Sequence, residues 1–303
     1  MPLVDIEGRQ LKVSNLDKVL YPAAGFTKAH VIDYYARAGR WMVPHLKDRP
    51  LTLKRYPDGV GAESFFEKNA PSHAPEWVRT ARVEGSTSAV DYVLANDLPT
   101  LVWAANLAAL ELHPSLSRAP RMEQPTMVVF DLDPGAPATL LECCRVAVVL
   151  RGMFDALKLQ SFAKTSGGKG MQVYVPLNTG GVTYEDTKGF SRQVAQLLEQ
   201  QLPDQVVSNM KKELRVGKVL VDWSQNDRKK TTVAVYSLRA RERPTASAPV
   251  SWDEVASALK AGRPDRLVFE AAQVLERLER EGDLFAPTLK LQQTLPGLAE
   301  GRE

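Results

Sequence analysis

Two strand-like stretches joined only by a short glycine-rich loop constrain the fold of this chain more than any other feature. Gln160–Lys164 and Gln172–Val175 have the composition of strands, and the loop Thr165–Gly170 lies between them without room for a helix. Parallel neighbours need a crossover of about a dozen residues or more, usually a helix. Val219–Val221 and Thr231–Leu238 are a second pair of predicted strands with no helix predicted between them. We therefore predict an α+β protein with mixed or antiparallel sheets flanked by helices.

Helices are predicted around these strands. Thr139–Leu157 and Tyr184–Leu202 have helical character, and the Ala- and Leu-rich run Leu101–Leu112, which lacks glycine and proline, is predicted to be a buried helix. The proline- and arginine-rich stretch at 118–121 predicts a boundary between an N-terminal and a C-terminal part of the chain. We expect two abutting subdomains, residues 1–120 and 121–286, and a tail at 287–303.

The composition excludes several classes of protein. Hydrophobic residues make up 44% of the 303 residues, which is enough for a core and excludes dominant disorder. No apolar run is long enough for a membrane span, and the first residues lack the apolar stretch of a signal peptide. The only two cysteines, Cys143 and Cys144, are adjacent and cannot build a disulfide framework. We expect a cytoplasmic protein without a membrane partner.

The positive charge is concentrated in one segment. Between Gln205 and Pro244 ten basic residues face four acidic ones, a net charge of +6, whereas the whole chain carries +3. Such a segment is typical of a site for a polyanion. A solvated charged face is the alternative, and charge alone does not separate the two.

Carboxylates follow the apolar strand Thr126–Phe130. Asp131 and Asp133 are two residues apart, so both side chains project from one face if the strand continues. Adjacent carboxylates repel one another, and a divalent cation commonly neutralises them. Asp222 ends another apolar strand, and three such carboxylates can hold two metal ions for nucleotidyl transfer. A polar turn at Asp131–Gly135 and a surface ion pair of Asp222 remain the alternatives.

Three cations are candidate phosphate ligands. Lys169 lies in the glycine-rich loop, where backbone N–H groups can approach an anion. Arg239 and Arg241 follow the predicted strand Thr231–Leu238 and would share a face in strand geometry. A plain hairpin turn and a solvated sheet edge are the alternatives.

Two aromatic residues and one histidine are weaker candidates. Phe65 and Phe66 could stack on bases, although we expect at least one of them in the core. His113 lies at the end of the predicted helix, and a lone histidine is usually an ordinary hydrogen-bonded polar residue.

Eight motifs, in one order, resemble the polymerase domain of bacterial ligase D, a member of the archaeo-eukaryotic primase superfamily used in non-homologous end joining. They span roughly residues 10–285 and are DKVLYP (Asp17–Pro22), LKRYPDG (Leu53–Gly59), FFEK (Phe65–Lys68), LELH (Leu110–His113), VVFDLDPG (Val128–Gly135), KTSGGKG (Lys164–Gly170), RVGKVLVDWSQN (Arg215–Asn226) and KTTVAVYSLR (Lys230–Arg239). The set is far more specific than any single motif.

The resemblance implies a primase-type fold and a template-directed polymerase that adds ribo- or deoxyribonucleotides at gaps and broken ends. It implies that two Mn2+ or Mg2+ ions are held by Asp131, Asp133 and Asp222. It implies nucleotide contacts from Ser166, Lys169, Gln172, Arg239, Arg241 and His113. It implies a pocket for a downstream 5′-phosphate at Asn15, Lys18 and Lys28, and template or primer contacts from Arg55, Phe65, Phe66 and Arg215. The implied partners are gapped or broken DNA, nucleoside triphosphates, Ku and a ligase, in a nucleoid-associated setting.

One position departs from the resemblance. The family pattern S-G-G-K-G-x-H ends in histidine, and this chain has Gln172 there. Glutamine can donate a hydrogen bond to a phosphate but cannot carry imidazolium charge, so we expect weaker nucleotide binding. We expect Gln172 to face the triphosphate from the strand face that it shares with Tyr174. Two other functions stay open: a DNA-end-binding and synapsis module with weak or no catalysis, which Gln172 favours, and a primase that starts chains de novo.

Overall fold

The computed structural model describes residues 2–85 and 88–297, which form two compact units. Unit 1 consists of Met1–Met122, Thr231–Ser247 and Phe269–Asp283. Unit 2 consists of Glu123–Lys230, Ala248–Val268 and Leu284–Glu303. The expected first part, 1–120, thus falls within unit 1, whereas residues from the expected second part, 121–286, belong to both units.

Unit 1 contains a five-stranded sheet, two two-stranded sheets and three α-helices among its described residues. Its strands are β1 Leu3–Ile6, β2 Arg9–Lys12, β3 Val19–Tyr21, β4 Phe26–Thr27, β5 Leu51–Arg55, β6 Phe65–Glu67, β7 Thr80–Val83, β8 Val90–Val93 and β9 Ala109–Pro114. Its helices are α1 Lys28–Leu46, α2 Leu98–Asn106 and α6 Ala271–Glu281. β5 pairs with β6, β8 and β9, always antiparallel.

The first helix of unit 1 begins at a residue that suits its start. Thr27 accepts a hydrogen bond from the backbone of His30, which satisfies one of the free N–H groups of the first turn of α1. Val31, Tyr34 and Tyr35 then bury one face of the helix. The N-terminal turn of α1 is thereby fixed beside the β3–β4 hairpin.

Unit 2 is built around a six-stranded sheet in the order β13-β14-β10-β12-β11-β15. Its strands are β10 Met127–Pro134, β11 Phe162–Thr165, β12 Met171–Pro176, β13 Val206–Val207, β14 Val219–Asp222 and β15 Pro249–Val250. Its helices are α3 Leu140–Ala156, α4 Tyr184–Gln201 and α5 Trp252–Ala261. All neighbouring strands are antiparallel except β13 and β14. The sequence therefore predicted the α+β class and the β11–β12 hairpin correctly.

The predicted helix Leu101–Leu112 is wrong in its second half. Helix α2 ends at Asn106, Ala108 adopts a left-handed φ of 57°, and β9 begins at Ala109. β9 pairs along the whole of β5, so tertiary strand pairing overrides the helix propensity of alanine and leucine. His113 consequently lies on a strand and not at a helix end.

The predicted strand Thr231–Leu238 is also wrong. Tyr236 has a left-handed φ of 64°, which breaks an extended run. The backbone N–H of Ala234 donates to Leu112 and that of Ser237 donates back to Ala234, so no continuous ladder forms. Only Leu238 makes a strand-like bridge, with Ala246, among the described residues of this segment.

The end of the chain packs on unit 2 as far as the structure describes it. Leu295 is buried, and the side chain of Gln293 donates to the backbone of Gln160 and Pro176. Residues 298–303 of the expected tail lie outside the described residues. None of the helices in the described ranges is long and apolar enough to cross a membrane.

Candidate active site

The three predicted metal ligands lie on adjacent strands of unit 2. Asp131 and Asp133 lie on β10, which continues past Phe130 to Pro134. Asp222 is the last residue of β14 and is directly opposite Asp131 in the strand register. Because opposite residues of an antiparallel pair share a face, the two carboxylates project to one side of the sheet.

Hydrogen bonds hold two of these carboxylates in place. The Gln172 side chain donates from Nε2 to Oδ1 of Asp131 over 3.1 Å. Asp222 accepts from the backbone and hydroxyl of Ser224 over 2.9 and 2.6 Å, and from Gln225 Nε2 over 3.2 Å. Asp222 is thus oriented by the residues that follow it, whereas Asp131 is oriented from the neighbouring strand.

The electrostatics of Asp131 are unusual for a carboxylate. Burial and the charge of Asp133 raise its pKa to about 7, the charge of Asp222 adds to this, and the hydrogen bond from Gln172 opposes it. Desolvation and like-charge repulsion both disfavour the ionised form. A divalent cation would remove this repulsion.

The carboxylates suit a hard divalent cation by chemistry, since all the donors are oxygen atoms. In the described part of the chain, however, no group of three or more His, Cys, Asp or Glu side chains is arranged ready to hold a metal ion. The acids therefore form a set of suitable donors and not a preformed cage.

The glycine-rich loop lies against β10. The Ser166 hydroxyl accepts from the backbone N–H groups of Gly168 and Gly170, each over 3.2 Å, which closes the loop. A side chain at Gly170 would come within 2.2 Å of the carbonyl oxygen of Leu132, so glycine is required there. The loop thereby carries the exposed Lys169 next to the acid-bearing end of β10.

A second glycine brings Arg215 to the same strand. A Cβ at Gly135 would stand 1.9 Å from the carbonyl oxygen of Arg215. The backbone of Gly135 also donates to Lys218 over 2.8 Å. The backbone of Arg215 therefore lies against Gly135, the residue that follows the last residue of β10.

A cationic cluster forms in unit 1, where the β3–β4 hairpin and the start of α1 meet. The backbone N–H of Lys28 donates to the carbonyl of Lys18 over 2.8 Å, and that of Lys18 donates to Asn15 over 3.0 Å. Burial lowers the pKa of the Lys28 ammonium, and the charges of Lys18 and Arg55 lower it further. Lys18 also forms an exposed ion pair with Asp58 over 2.6 Å. The structure thus brings together Asn15, Lys18 and Lys28, the residues predicted to bind a downstream 5′-phosphate.

Both phenylalanines of β6 are exposed, so the expectation that one of them lies in the core is wrong. Phe65 and Phe66 are 46% and 58% exposed. The Arg55 guanidinium lies 5.2 Å from the centre of the Phe65 ring, and the His113 ring lies edge-on to Phe66 at 5.9 Å. β6 is at the edge of its sheet, which explains how two adjacent aromatic residues remain accessible.

Glu111 is a central residue of unit 1 that the sequence analysis did not single out. This buried carboxylate contacts His113 Nε2 at 3.0 Å, Arg239 Nε at 3.3 Å and the backbone N–H of Ala240 at 3.0 Å. Burial opposes ionisation, but the hydrogen bond from His113 and the charge of Arg239 hold the pKa of Glu111 well below its ordinary value. The available signal was an acid two residues before His113, which places both on one face once the segment is a strand.

Arg239 and Arg241 do not share a strand face as predicted. Arg239 is largely buried against Glu111, whereas Arg241 is exposed. The backbone N–H of Arg241 donates to the carbonyl of Arg239 over 2.9 Å, which is a tight turn. The predicted strand is absent here, and the geometry that depended on it is absent too.

Each unit therefore collects part of the predicted site. In unit 2 lie Asp131, Asp133, Ser166, Lys169, Gln172, Arg215 and Asp222. In unit 1 lie Asn15, Lys18, Lys28, Arg55, Phe65, Phe66, His113, Arg239 and Arg241.

Comparison with known proteins identifies relatives over nearly the whole chain. The family model described as "LigD, primase-polymerase domain" matches residues 27–285. The multifunctional non-homologous end joining protein LigD of Mycolicibacterium smegmatis is 42% identical over 280 residues, which is 92% of this chain and 36% of that protein. The bifunctional LigD of Bacillus subtilis is 32% identical over 276 residues, 91% of this chain and 44% of that protein. The chain thus spans less than half the length of these relatives.

A solved structure has the same fold. The polymerase domain from Mycobacterium tuberculosis ligase D in complex with DNA matches with a TM-score of 0.86 and 39% identity. The match covers 92% of this chain and 98% of that domain. The similarity therefore extends over the whole of that polymerase domain.

Proposed function

The chain belongs to the LigD primase-polymerase domain family, and on that premise we propose that it is a template-directed polymerase that adds ribo- or deoxyribonucleotides at gaps and broken ends of DNA. The observation that carries the proposal is the group of three carboxylates in unit 2, Asp131, Asp133 and Asp222. Asp131 and Asp222 lie opposite one another on paired strands, and Asp133 raises the pKa of Asp131 through its charge. Such carboxylates are the usual ligands for the metal ions of nucleotidyl transfer.

Asp131, Asp133 and Asp222 would hold two Mn2+ or Mg2+ ions. When bound, the ions would supply activation of the primer 3′-hydroxyl and neutralisation of the triphosphate. Lys169 and Ser166 would bind the triphosphate from the glycine-rich loop. The loop adds positive charge and backbone donors where negative charge develops, which lowers the barrier to transfer.

Unit 1 would bind DNA. Asn15, Lys18 and Lys28 would hold the downstream 5′-phosphate, because two ammonium groups and the N-terminus of α1 meet there. Phe65 and Phe66 would stack on template or primer bases from their exposed edge strand. The DNA complex of the M. tuberculosis domain supports DNA as the partner.

Glu111 would orient two nucleotide-binding residues of unit 1. His113 and Arg239 both contact this carboxylate and would present one orientation to the incoming nucleotide, with the exposed Arg241 close by in sequence. In the cell the protein would act in non-homologous end joining, with Ku and a ligase as partners, at the nucleoid.

A DNA-end-binding module with weak or no catalysis is the second candidate. It is favoured by one observation: the position of the family's histidine is occupied by Gln172. A de novo primase is disfavoured by the cationic cluster at Lys18 and Lys28, which suits a pre-existing 5′-phosphate.

One experiment separates these functions. We expect the protein to extend a primer across a gap with Mn2+, and to do so better when the downstream strand carries a 5′-phosphate. Binding without extension would identify an end-binding module. Synthesis on a single-stranded template without a primer would identify a de novo primase.

A further inference from the structure

A row of four polar side chains crosses the sheet of unit 2. Lys164 of β11 is opposite Gln172 of β12, and Gln172 is opposite Asp131 of β10. Asp131 is in turn opposite Asp222 of β14. Directly opposite residues share a face of the sheet, so the row runs from a cation at one end to two carboxylates at the other.

Hydrogen bonds connect the first three members of the row. Lys164 Nζ donates to Gln172 Oε1 over 2.6 Å, and the Tyr174 hydroxyl donates to the same oxygen over 3.0 Å. Gln172 Nε2 donates to Asp131 Oδ1 over 3.1 Å. Lys164 and Gln172 are only 1% and 3% exposed, so these contacts are shielded from water.

The orientation of the Gln172 amide follows from its neighbours. An ammonium group has donors and no acceptor, so the amide oxygen has to face Lys164. The NH2 group then points to the other side, where Asp131 offers an acceptor. The positions of the oxygen and nitrogen of the Gln172 amide are therefore determined by the donor-only chemistry of Lys164.

We propose that Gln172 is a positioning residue for Asp131, held in one amide orientation by Lys164 and Tyr174, and that it does not bind the triphosphate. The proposal rests on the polymerase function proposed above and replaces the expectation that Gln172 faces a phosphate. A side chain that orients a metal ligand commonly changes metal affinity or activity by about 10–100-fold when it is removed.

The same contacts explain how glutamine can stand where relatives are expected to have histidine. A neutral imidazole has one acceptor nitrogen and one donor nitrogen. Between Lys164 and Asp131 it would accept from the first and donate to the second, as the Gln172 amide does. The substitution therefore preserves the hydrogen-bonding pattern, and no loss of charge towards a phosphate follows from it.

The decisive variant is Gln172→Met, which keeps the length of the side chain and removes all three hydrogen bonds of the amide. We expect kcat of nucleotide addition to fall about 10–100-fold while the nucleotide KM stays within about twofold. Mn2+ binding, measured by calorimetry on the protein without nucleotide or DNA, should weaken several-fold. Lys169→Met is the matched comparison, since a loop lysine that binds phosphate should raise KM and leave Mn2+ binding unchanged.

Two further variants separate positioning from folding, because Gln172→Met also deprives the buried Lys164 of an acceptor. Gln172→Glu keeps an acceptor for Lys164 but turns a carboxylate towards Asp131, so kcat should fall although the contact with Lys164 is retained. Gln172→His should retain kcat within about twofold. Lys164→Arg should likewise retain it, since a guanidinium also has donors only.

The outcomes are distinct. A raised nucleotide KM with unchanged kcat in Gln172→Met would overturn the proposal and make Gln172 a phosphate ligand. Unchanged Mn2+ affinity in this variant would overturn it as well. If the wild-type protein adds no nucleotide at all, the proposed polymerase function fails, and the Mn2+ affinities of the two proteins still decide whether Gln172 positions Asp131.

Discussion

Each unit contains one cluster of like charges, and the two clusters have opposite signs. In unit 2, Asp131 is surrounded by the carboxylates of Asp133 and Asp222, and its pKa is raised to about 7. In unit 1, Lys28 is close to Lys18 and Arg55, and its pKa is lowered. In both places burial is the first cause of the shift, and like-charge repulsion adds to it.

The two clusters differ in how far the protein itself relieves the repulsion. Lys18 has Asp58 as an exposed counter-ion, whereas Asp131 accepts a hydrogen bond from the neutral amide of Gln172. Exposed ion pairs contribute little to the free energy of unfolding, but at an exposed site water and salt also screen the repulsion between like charges. We infer that the carboxylates of unit 2 depend more strongly on a bound cation than the cationic cluster of unit 1 depends on a bound anion. The expected effects of substitutions are therefore larger in unit 2.

The largest effect is expected from removing an acid. Asp131→Ala or Asp133→Ala should lower nucleotide addition on the order of 10³-fold, because the charge of the transferring phosphates is no longer offset. DNA binding should remain, since the cationic cluster lies in unit 1. Primer extension and a DNA-binding titration measure the two effects, with Asp155→Ala on the exposed face of α3 as the control. Near wild-type extension in the double variant would refute the metal site.

The second effect concerns stability without metal. A carboxyl whose folded pKa lies above its unfolded value of about 3.8 costs stability as pH rises through that interval, at about 1.4 kcal/mol per pKa unit. Asp131→Asn should therefore raise Tm by about 5–10 °C at pH 8 and leave it unchanged near pH 4. Thermal melts in a chelator at the two pH values measure this. An equal Tm difference at both would show that Asp131 titrates normally.

Glu111 provides the contrast within unit 1, since this buried carboxylate is fully paired. Glu111→Gln should cost about 1.5–3 kcal/mol, because the hydrogen bond with His113 and the ion pair with Arg239 both lose the charge of the carboxylate. Its low pKa stabilises the fold above about pH 4.5, and that contribution disappears as pH falls further. The variant should therefore lose less stability on acidification than the wild type does. We also expect the nucleotide KM to rise about tenfold, as steady-state kinetics would reveal.

The smallest effect is expected from the cationic cluster of unit 1. Lys18→Ala and Lys28→Ala should abolish the preference for a phosphorylated gap. Each lost phosphate contact should also reduce the slope of log affinity against log salt by about 0.9. Binding titrations at several salt concentrations, on gaps with and without a 5′-phosphate, measure both. Equal weakening on the two substrates would argue against a dedicated pocket.

Local patterns predicted unit 2 better than unit 1. The apolar run ending in Asp131 and the glycine-rich hairpin are determined by neighbouring residues, and both were predicted correctly. β9 and the segment around Tyr236 depend on pairing with residues distant in sequence, and both were mispredicted. Glu111 was missed for the same reason, because its role is visible only when Leu101–Leu112 is divided into a helix and a strand. The partners of Gln172 likewise required the register of three strands.

The division of each unit into three chain segments has a consequence during protein synthesis. In unit 1 the hydroxyl of Tyr34 donates to the carbonyl of Tyr236, and His45 contacts Asp283 at 2.7 Å. At about 5–20 residues per second, Asp283 is made roughly 10–30 s after Met122, the last residue of the first segment. The first segment therefore emerges from the ribosome with part of its core uncovered, and unit 2 is almost entirely synthesised before unit 1 can close. Proteases and chaperones would meet the first segment of unit 1 in this incomplete form.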